Sequence, residues 1–128
     1  MTIKLSKQES EEYFYNALCN GLGYVESGYY LSLRYNKEEY KQSADKLKKD
    51  GANVCYEDIL MEILRQGHKI NLYDIEGEED HIISLKDVHE KVENTQLNYL
   101  MEMINEEDDA DTADVILQTV FLGGIIFC

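Results

Sequence analysis

The segment that most constrains this fold lies near the end of the chain, where residues 115–122 read VILQTVFL. A helix with this sequence has apolar side chains on almost every side and no face that suits water. The sequence therefore predicts a buried central helix over about residues 112–122, with Ile116, Val120 and Phe121 in the core. The residues that follow, GGIIFC, predict a terminal strand.

The stretch NEEDDADTADV, which begins at residue 105, leads into this helix with acids at six of the nine positions from 106 to 114. An EF-hand calcium loop does not fit it. A loop starting at Asp109 has alanine fifth and valine twelfth, and one starting at Glu107 has threonine where glycine belongs. The alternative is a helix start, with Asp111 as N-cap, Asp114 as the N3 residue and the other acids near the positive end of the helix dipole.

Five further helices are predicted from capping residues and from apolar residues at helical spacing. Their start signals are the capping box SKQE at Ser6, then Asn36, the segment CYEDILMEILRQG, the motif SLKD at Ser84, and finally Thr95. Glycines are expected to end the first three helices, at Gly21, Gly51 and Gly67. The predicted apolar faces, helix by helix, are Tyr13, Phe14, Ala17 and Leu18; a thin stripe of Tyr40, Ala44 and Leu47; Tyr56, Ile59, Leu60, Ile63 and Leu64; Val88 and Val92; and Leu97, Leu100, Met101 and Ile104.

Extended segments are predicted between these helices. GLGYVESGYYLSLRY suggests a hairpin turning at Ser27-Gly28, and KINLYDI with HIISL suggests a second hairpin with Gly77 at its tip. Ile3 and Leu5 alternate with polar residues and predict a short first strand. Together the elements predict one α+β domain over residues 1–128. Its small, mostly antiparallel sheet of two hairpins plus terminal strands is covered by about five or six helices.

Length and composition narrow the class of protein. A chain of 128 residues with 44% hydrophobic residues fits one folded domain. No apolar run reaches the ~18 to 20 residues of a membrane span, and the N-terminal residues lack the apolar core of a signal peptide. Three cysteines without a CxxC pair argue against a disulfide framework and a zinc knuckle. We therefore expect a cytoplasmic protein that does not enter membranes.

The net charge of −14 is distributed unevenly. Between Asp74 and Asp114 fifteen acids face only Lys86 and Lys91, a local balance of −13, whereas residues 34–49 hold six of the twelve basic residues. Direct binding of nucleic-acid phosphates by the acidic half is not expected, and a basic protein is the candidate partner. The candidate partner-binding acidic surface consists of Glu76, Glu78, Glu79, Asp80, Glu106, Glu107, Asp108 and Asp109.

No arrangement of residues in the sequence predicts a catalytic site or a bound cofactor. His81 and His89 could ligate a metal together with acids of the EGEED turn, but no HxH or HxxxH spacing supports them. Cys55 lies near a helix start, where the dipole can activate a thiol, yet no local base accompanies it. The glycines of NGLGYVESG follow a helix and precede a strand, the reverse of a phosphate-binding loop. The expectation is therefore a protein without catalytic activity.

Ten tyrosines are present, and five of them lie between Tyr24 and Tyr40. Tyrosine supplies a large contact area at little cost in conformational entropy, so this segment could form a binding face. Tyrosines that pack on a half-buried sheet produce the same pattern. We favour the packing role.

Several stretches considered together, NALCNGLGYVESGY, CYEDILMEILRQG, DVHEKV and MINEEDDADTADVILQTVF, cover most of the chain. In them the chain resembles an uncharacterised family of small acidic proteins from gut bacteria, often carried on mobile elements. That family has no known activity, cofactor or site residues. The resemblance therefore implies a bacterial cytoplasmic protein and assigns no role to particular residues.

Three functions follow from these features. The leading hypothesis is a non-catalytic acidic binding or regulatory module that acts through protein–protein contact. The first alternative is a DNA-mimic inhibitor of a nucleic-acid-binding protein, because the acidic half would carry about one charge per 180 Å² if it covered a third of the surface, against roughly one per 100 Å² on B-DNA. The second alternative is a metal-dependent hydrolase using His81 and His89.

Overall fold

Six α-helices and three strands form the part of the chain that the computed structural model describes, residues 3–25 and 30–124. This architecture confirms the predicted α+β class. In chain order the elements are α1 (Lys7–Val25), β1 (Leu31–Arg34), α2 (Lys37–Lys49), α3 (Tyr56–Arg65), β2 (Ile70–Asp74), β3 (Ile82–Ile83), α4 (Leu85–Lys91), a short 3-10 helix (Val92–Asn94), α5 (Leu97–Ile104) and α6 (Ala110–Leu122).

The apolar helix α6 lies at the centre of the core, as its sequence predicts. Ile116 and Val120 are fully buried and Phe121 is 5% exposed. α6 packs along α1, where the rings of Phe14 and Phe121 lie 6.1 Å apart, centroid to centroid. Side chains from every helix and strand join α6 in one apolar cluster, which explains how a small sheet is held within a mostly helical fold.

The first helix is longer than predicted. Gly21 does not end α1, which continues to Val25. A Cβ on Gly21 would lie only 2.6 Å from the Cβ of Ala113 in α6, so glycine at this position lets the two helices approach closely. The packing against α6 offsets the modest cost of a glycine inside a helix, about 0.5–1 kcal/mol.

The sheet contains one predicted hairpin and lacks the other. β2 and β3 are antiparallel neighbours, with Ile70 opposite Ile83, which confirms the second hairpin. The first predicted hairpin is wrong, because residues up to Val25 are helical and β1 pairs instead with β2, in the order β1-β2-β3. Leu33 of β1 lies opposite Leu72 of β2, and both side chains face the core.

The predicted first strand does not form. Ile3 and Leu5 are partly buried, but no strand forms there, and the Leu5 N–H donates to the Glu93 carboxylate at 3.0 Å. A side chain satisfies this backbone amide in place of a neighbouring strand. The predicted last strand falls mainly on residues 125–128 and lies outside the described residues.

Most of the predicted helix ends are confirmed. Ser6 and Glu9 exchange two hydrogen bonds, at 2.9 and 3.0 Å, that satisfy backbone amides at the start of α1. The Asn36 side chain accepts from two amides of α2, and Ser84 forms a capping box with Asp87 at the start of α4. Gly51 and Gly67 adopt positive φ angles of 73° and 88° just beyond α2 and α3.

Helix α5 differs from its prediction in both its start and its buried face. Thr95 does not cap it; Gln96 takes the N-cap position, and the Thr95 hydroxyl is buried without a hydrogen-bond partner. Leu97 and Met101, which were predicted to face the core, are 39% and 37% exposed. The buried residues are Leu100 and Met103, because contact with α6 sets the rotation of this short helix about its axis.

Candidate functional site

Two acidic loops carry the residues that the sequence marks as a candidate partner-binding surface. The first loop joins β2 to β3 and turns through Gly77 and Glu78, where Glu78 adopts a positive φ of 51°. The second joins α5 to α6, and Glu106 there has a positive φ of 58°. A non-glycine residue with positive φ is uncommon, so both loops turn sharply and present successive acids to solvent.

The acidic side chains of these loops are largely exposed and lack ion pairs. Seven of the eight are exposed, and Asp108 is half-buried. None forms a salt bridge with a described lysine, arginine or histidine. Asparagine amides donate to two of them, Asn71 to Asp80 and Asn20 to Asp108, both at 2.8 Å. These contacts hold the loops in place but leave their negative charge uncompensated. The eight residues are Glu76, Glu78, Glu79, Asp80, Glu106, Glu107, Asp108 and Asp109, and we call this set the acidic surface.

Many other acids of the C-terminal half have partners within the fold. Asp87 and Glu90 form ion pairs with lysines one helical turn away. Burial raises the pKa of Asp87, but hydrogen bonds from Ser84 and Lys91 outweigh it and lower that pKa. The Glu93 carboxylate accepts from the Leu5 amide. In this half of the chain, most of the exposed carboxylates that lack an ion pair with a described residue therefore lie on the two loops.

The acids before α6 cap that helix, but two residues earlier than predicted. Asp109, not Asp111, is the N-cap, and its carboxylate accepts from the Thr112 N–H at 3.0 Å. This backbone hydrogen bond, together with one from the Thr112 hydroxyl, lowers the pKa of Asp109. Asp114 is not the N3 residue; it bonds to the Gln118 amide, and burial raises its pKa.

A tertiary contact explains the shift of this cap. The Thr112 hydroxyl lies 2.7 Å from a carboxylate oxygen of Glu102 in α5 and 3.3 Å from the Asp109 amide. Thr112 therefore joins the start of α6 to the preceding helix, which requires Thr112 to be the N3 residue. Neither Asp111 nor Asp114 offers a hydroxyl for this role.

The structure separates the two histidines of the predicted metal site. The His89 ring nitrogen Nε2 lies 2.7 Å from the Glu11 carboxylate of α1. His81 instead joins Glu79 of the EGEED turn and Asp74, whose ligand atoms all lie within 4.8 Å of one another. Among the described residues this is the one group of three that could hold a metal ion. His89 does not belong to it.

The sequence-based hypothesis of a metal site did not include Asp74, although the pairing of the two strands predicts its position. Once Ile70 pairs with Ile83, antiparallel geometry sets Asp74 opposite Glu79 and Leu72 opposite His81. All four side chains then lie on the same face of the hairpin as the buried core residues Ile70 and Ile83. Counting the hairpin register would have placed Asp74 beside His81.

Neither Cys19 nor Cys55, the two cysteines that the structure describes, has the surroundings of an activated nucleophile. Cys55 is exposed at the N-cap of α3 and makes no capping hydrogen bond. Cys19 is also exposed and hydrogen-bonds with Tyr15, whose pKa is raised chiefly by this bond. Burial of its sulfur raises the pKa of Cys19, which disfavours the thiolate that acts as nucleophile.

Tyrosines of the middle segment pack together beside the sheet. The ring of Tyr35 stacks on that of Tyr40 with centroids 4.9 Å apart, and both lie 6.2 Å from the ring of Tyr56. All three are partly buried against the core. This contact supports the packing role over a binding face for these rings.

A cleft of about 450 Å³ lies beside the start of α5. Its size falls in the range of about 300–1,000 Å³ usual for ligand pockets. Its charged lining residues are Lys4 and Glu93, and the Glu93 carboxylate already accepts from a backbone amide. The described lining residues thus include no pair of free titratable groups of the kind that acid–base catalysis uses.

Comparison with known proteins adds no assignment. No protein-family model, curated protein or solved structure matches this chain. Among the described helices, none is both long enough and apolar enough to cross a membrane.

Proposed function

We propose that this protein is a non-catalytic, cytoplasmic binding or regulatory module that contacts a basic protein partner through its acidic surface. The observation that carries the proposal is that none of the eight carboxylates forms an ion pair with a described residue and that seven of them are exposed. Such charge is available to a partner without breaking an internal salt bridge. Hydrogen bonds at Asp80 and Asp108 anchor both loops, which lowers the conformational entropy lost on binding.

Long-range electrostatic attraction should control how this surface meets a partner. A net charge of −14 attracts a basic partner and accelerates encounter, while like-charged proteins are repelled. Exposed charges are screened over about 10 Å at 0.1 M salt. Association through the acidic surface should therefore weaken steeply as salt is added.

The test is capture of basic proteins from a bacterial lysate, followed by measurement of the affinity of each purified partner at 50 and 500 mM salt. The test variant changes Glu76, Glu78, Glu106 and Glu107 to glutamine, since these side chains are exposed and pair with no cation in residues 3–25 and 30–124. We expect it to bind at least tenfold more weakly at low salt, with the loss confined to the association rate constant.

The matched control removes the same number of charges elsewhere, by changing Glu12, Glu38 and Glu90 to glutamine and Asp45 to asparagine, all of them exposed. Each variant has a net charge of −10 in place of −14. Equal weakening in both would show that only net charge matters and would refute a specific acidic surface. A captured nucleic-acid-binding protein that double-stranded DNA displaces would instead support the DNA-mimic function.

A further inference from the structure

The tip of the β2–β3 hairpin places two carboxylates and one imidazole on the same face. Asp74 and Glu79 are directly opposite, joined by backbone hydrogen bonds of 2.8 and 3.2 Å. The His81 carbonyl accepts from the Leu72 amide at 2.9 Å, so His81 follows two residues along the same face as Glu79. The face is apolar at Leu72 and becomes polar at these three residues.

The imidazole of His81 is the free one among the three histidines. The ring of His68 pairs with Glu39 at 3.3 Å and that of His89 with Glu11 at 2.7 Å, whereas the His81 ring makes no hydrogen bond or ion pair with a described residue. Its ring nitrogen and carboxylate oxygens of Asp74 and Glu79 lie within 4.8 Å of one another. Zinc binds nitrogen and oxygen at about 2.0–2.2 Å, which sets tetrahedral ligands about 3.4 Å apart. Small side-chain rotations would bring the three groups to that spacing.

The opposed carboxylates supply a second, electrostatic argument. Like charges directly across a ladder destabilise a hairpin. Neither Asp74 nor Glu79 has an ion pair with a described lysine or arginine. A cation bound between these two carboxylates would convert their repulsion into attraction.

Hydrogen bonds hold Asp74 and the backbone of His81 in place. They use neither the second carboxylate oxygen of Asp74 nor the ring of His81. The Gly77 amide donates to one oxygen of Asp74 at 3.0 Å, and a Cβ on Gly77 would lie only 2.7 Å from the other oxygen. The His81 amide donates to the Asn71 side chain at 2.9 Å, and that same side chain donates to Asp80. Such supporting contacts orient metal ligands and raise affinity.

We propose that Asp74, Glu79 and His81 bind a divalent transition-metal ion of the zinc class, with water in the remaining positions. The imidazole selects this class, because calcium and magnesium prefer oxygen ligands alone. The site shares Glu79 with the acidic surface. Metal binding is measured on the isolated chain, so its test needs no partner and stands or falls separately from the proposed partner contact.

The experiment measures zinc binding to the tag-free, full-length chain by isothermal titration calorimetry, after removal of metals with a chelator. All variants carry serine at Cys19, Cys55 and Cys128, since thiolates also bind zinc. Cobalt is titrated in parallel, and its visible absorption reports coordination directly. Runs at high sodium chloride and with magnesium remove diffuse binding to an acidic surface.

We expect one zinc site per chain and at least a tenfold weaker affinity in both His81→Gln and Glu79→Gln, since loss of a supporting contact alone costs about 10–100-fold. His68→Gln is the matched control and should bind like the parent. Glu79 is exposed, so its variant tests the site without disturbing the core. Unchanged affinity in His81→Gln, or binding that magnesium or sodium abolishes, would overturn the proposal.

Discussion

Truncation of Phe121 to alanine tests whether α6 is the structural centre of the protein. Phe121 is 5% exposed, and its ring packs against Phe14 at 6.1 Å with the planes at 45°. Loss of a buried phenyl ring removes apolar burial and leaves a cavity, which costs about 3–5 kcal/mol. Of this, the ring–ring contact accounts for about 0.5–1.5 kcal/mol. The total is a large share of the ~5–15 kcal/mol that stabilises a domain.

Chemical denaturation in urea measures this loss as a change in the free energy of unfolding, and thermal unfolding should show a fall of roughly 10–20 °C in Tm. Val54→Ala is the control, because Val54 is 47% exposed and its truncation should change stability by no more than about 0.5 kcal/mol. A double-mutant cycle with Phe14→Leu and Phe121→Leu isolates the ring contact. A loss below about 1 kcal/mol for Phe121→Ala would show that α6 is peripheral and refute the core described above.

Further predictions concern helix contacts and caps. Gly21→Ala should destabilise the protein by about 1–3 kcal/mol, because the new Cβ would lie 2.6 Å from that of Ala113. Gly23→Ala lies in the same helix, and its new Cβ would meet no side chain or neighbouring element of the described chain within 4 Å. This change should stabilise the protein by about 0.5–1 kcal/mol. Asp109→Ala should lower Tm more than Asp111→Ala does, because only Asp109 accepts the capping hydrogen bond. Calcium should raise the Tm of the parent protein no more than equimolar magnesium does, because the acids before α6 cap a helix and do not form a calcium site.

The pKa of Asp109 also sets the pH at which its cap matters. Its folded-state pKa is lowered by the Thr112 hydrogen bonds, so the charged cap stabilises the fold fully above the unfolded pKa of about 3.9. The Tm difference between the parent and Asp109→Ala should be largest there and narrow as pH falls through the lowered value. Three results would contradict the capping role. They are a Tm difference that grows at acid pH, equal effects of both alanine variants, or a calcium-specific shift that Asp109→Ala abolishes.

For Gly21 and Gly23, similar changes in stability on substitution by alanine would contradict the close contact between α1 and α6.

The sequence by itself determined the features that short-range chemistry controls. The Ser6 box, the Asn36 cap and the Ser84 box act within three residues, so their sequences suffice. The burial of α6 follows from its composition, because no solvent-facing orientation of that helix is acceptable. The hairpin around Gly77 closes between neighbouring segments and needs no distant partner. In the candidate site, the exposure of both acidic loops was also predictable, because runs of charged residues between apolar elements face solvent.

Tertiary contacts decided the rest. α1 passes Gly21 because Ala113 packs there, which a reading of glycine as a helix stop cannot anticipate. The cap of α6 lies at Asp109 because the Thr112 hydroxyl also bonds Glu102 of the preceding helix. Local capping preferences differ by a few tenths of a kcal/mol among such residues, so one added hydrogen bond of about 1 kcal/mol selects the register.

The partners of the histidines show the same division. His89 meets Glu11 across 78 positions in the chain, a contact that depends on how α1 packs against α4. His81 meets Glu79 through the hairpin itself, and the register of the strands brings Asp74 to join them. Residue spacing along the chain specifies the second contact but not the first, because only packing of the whole core determines which helix faces lie together.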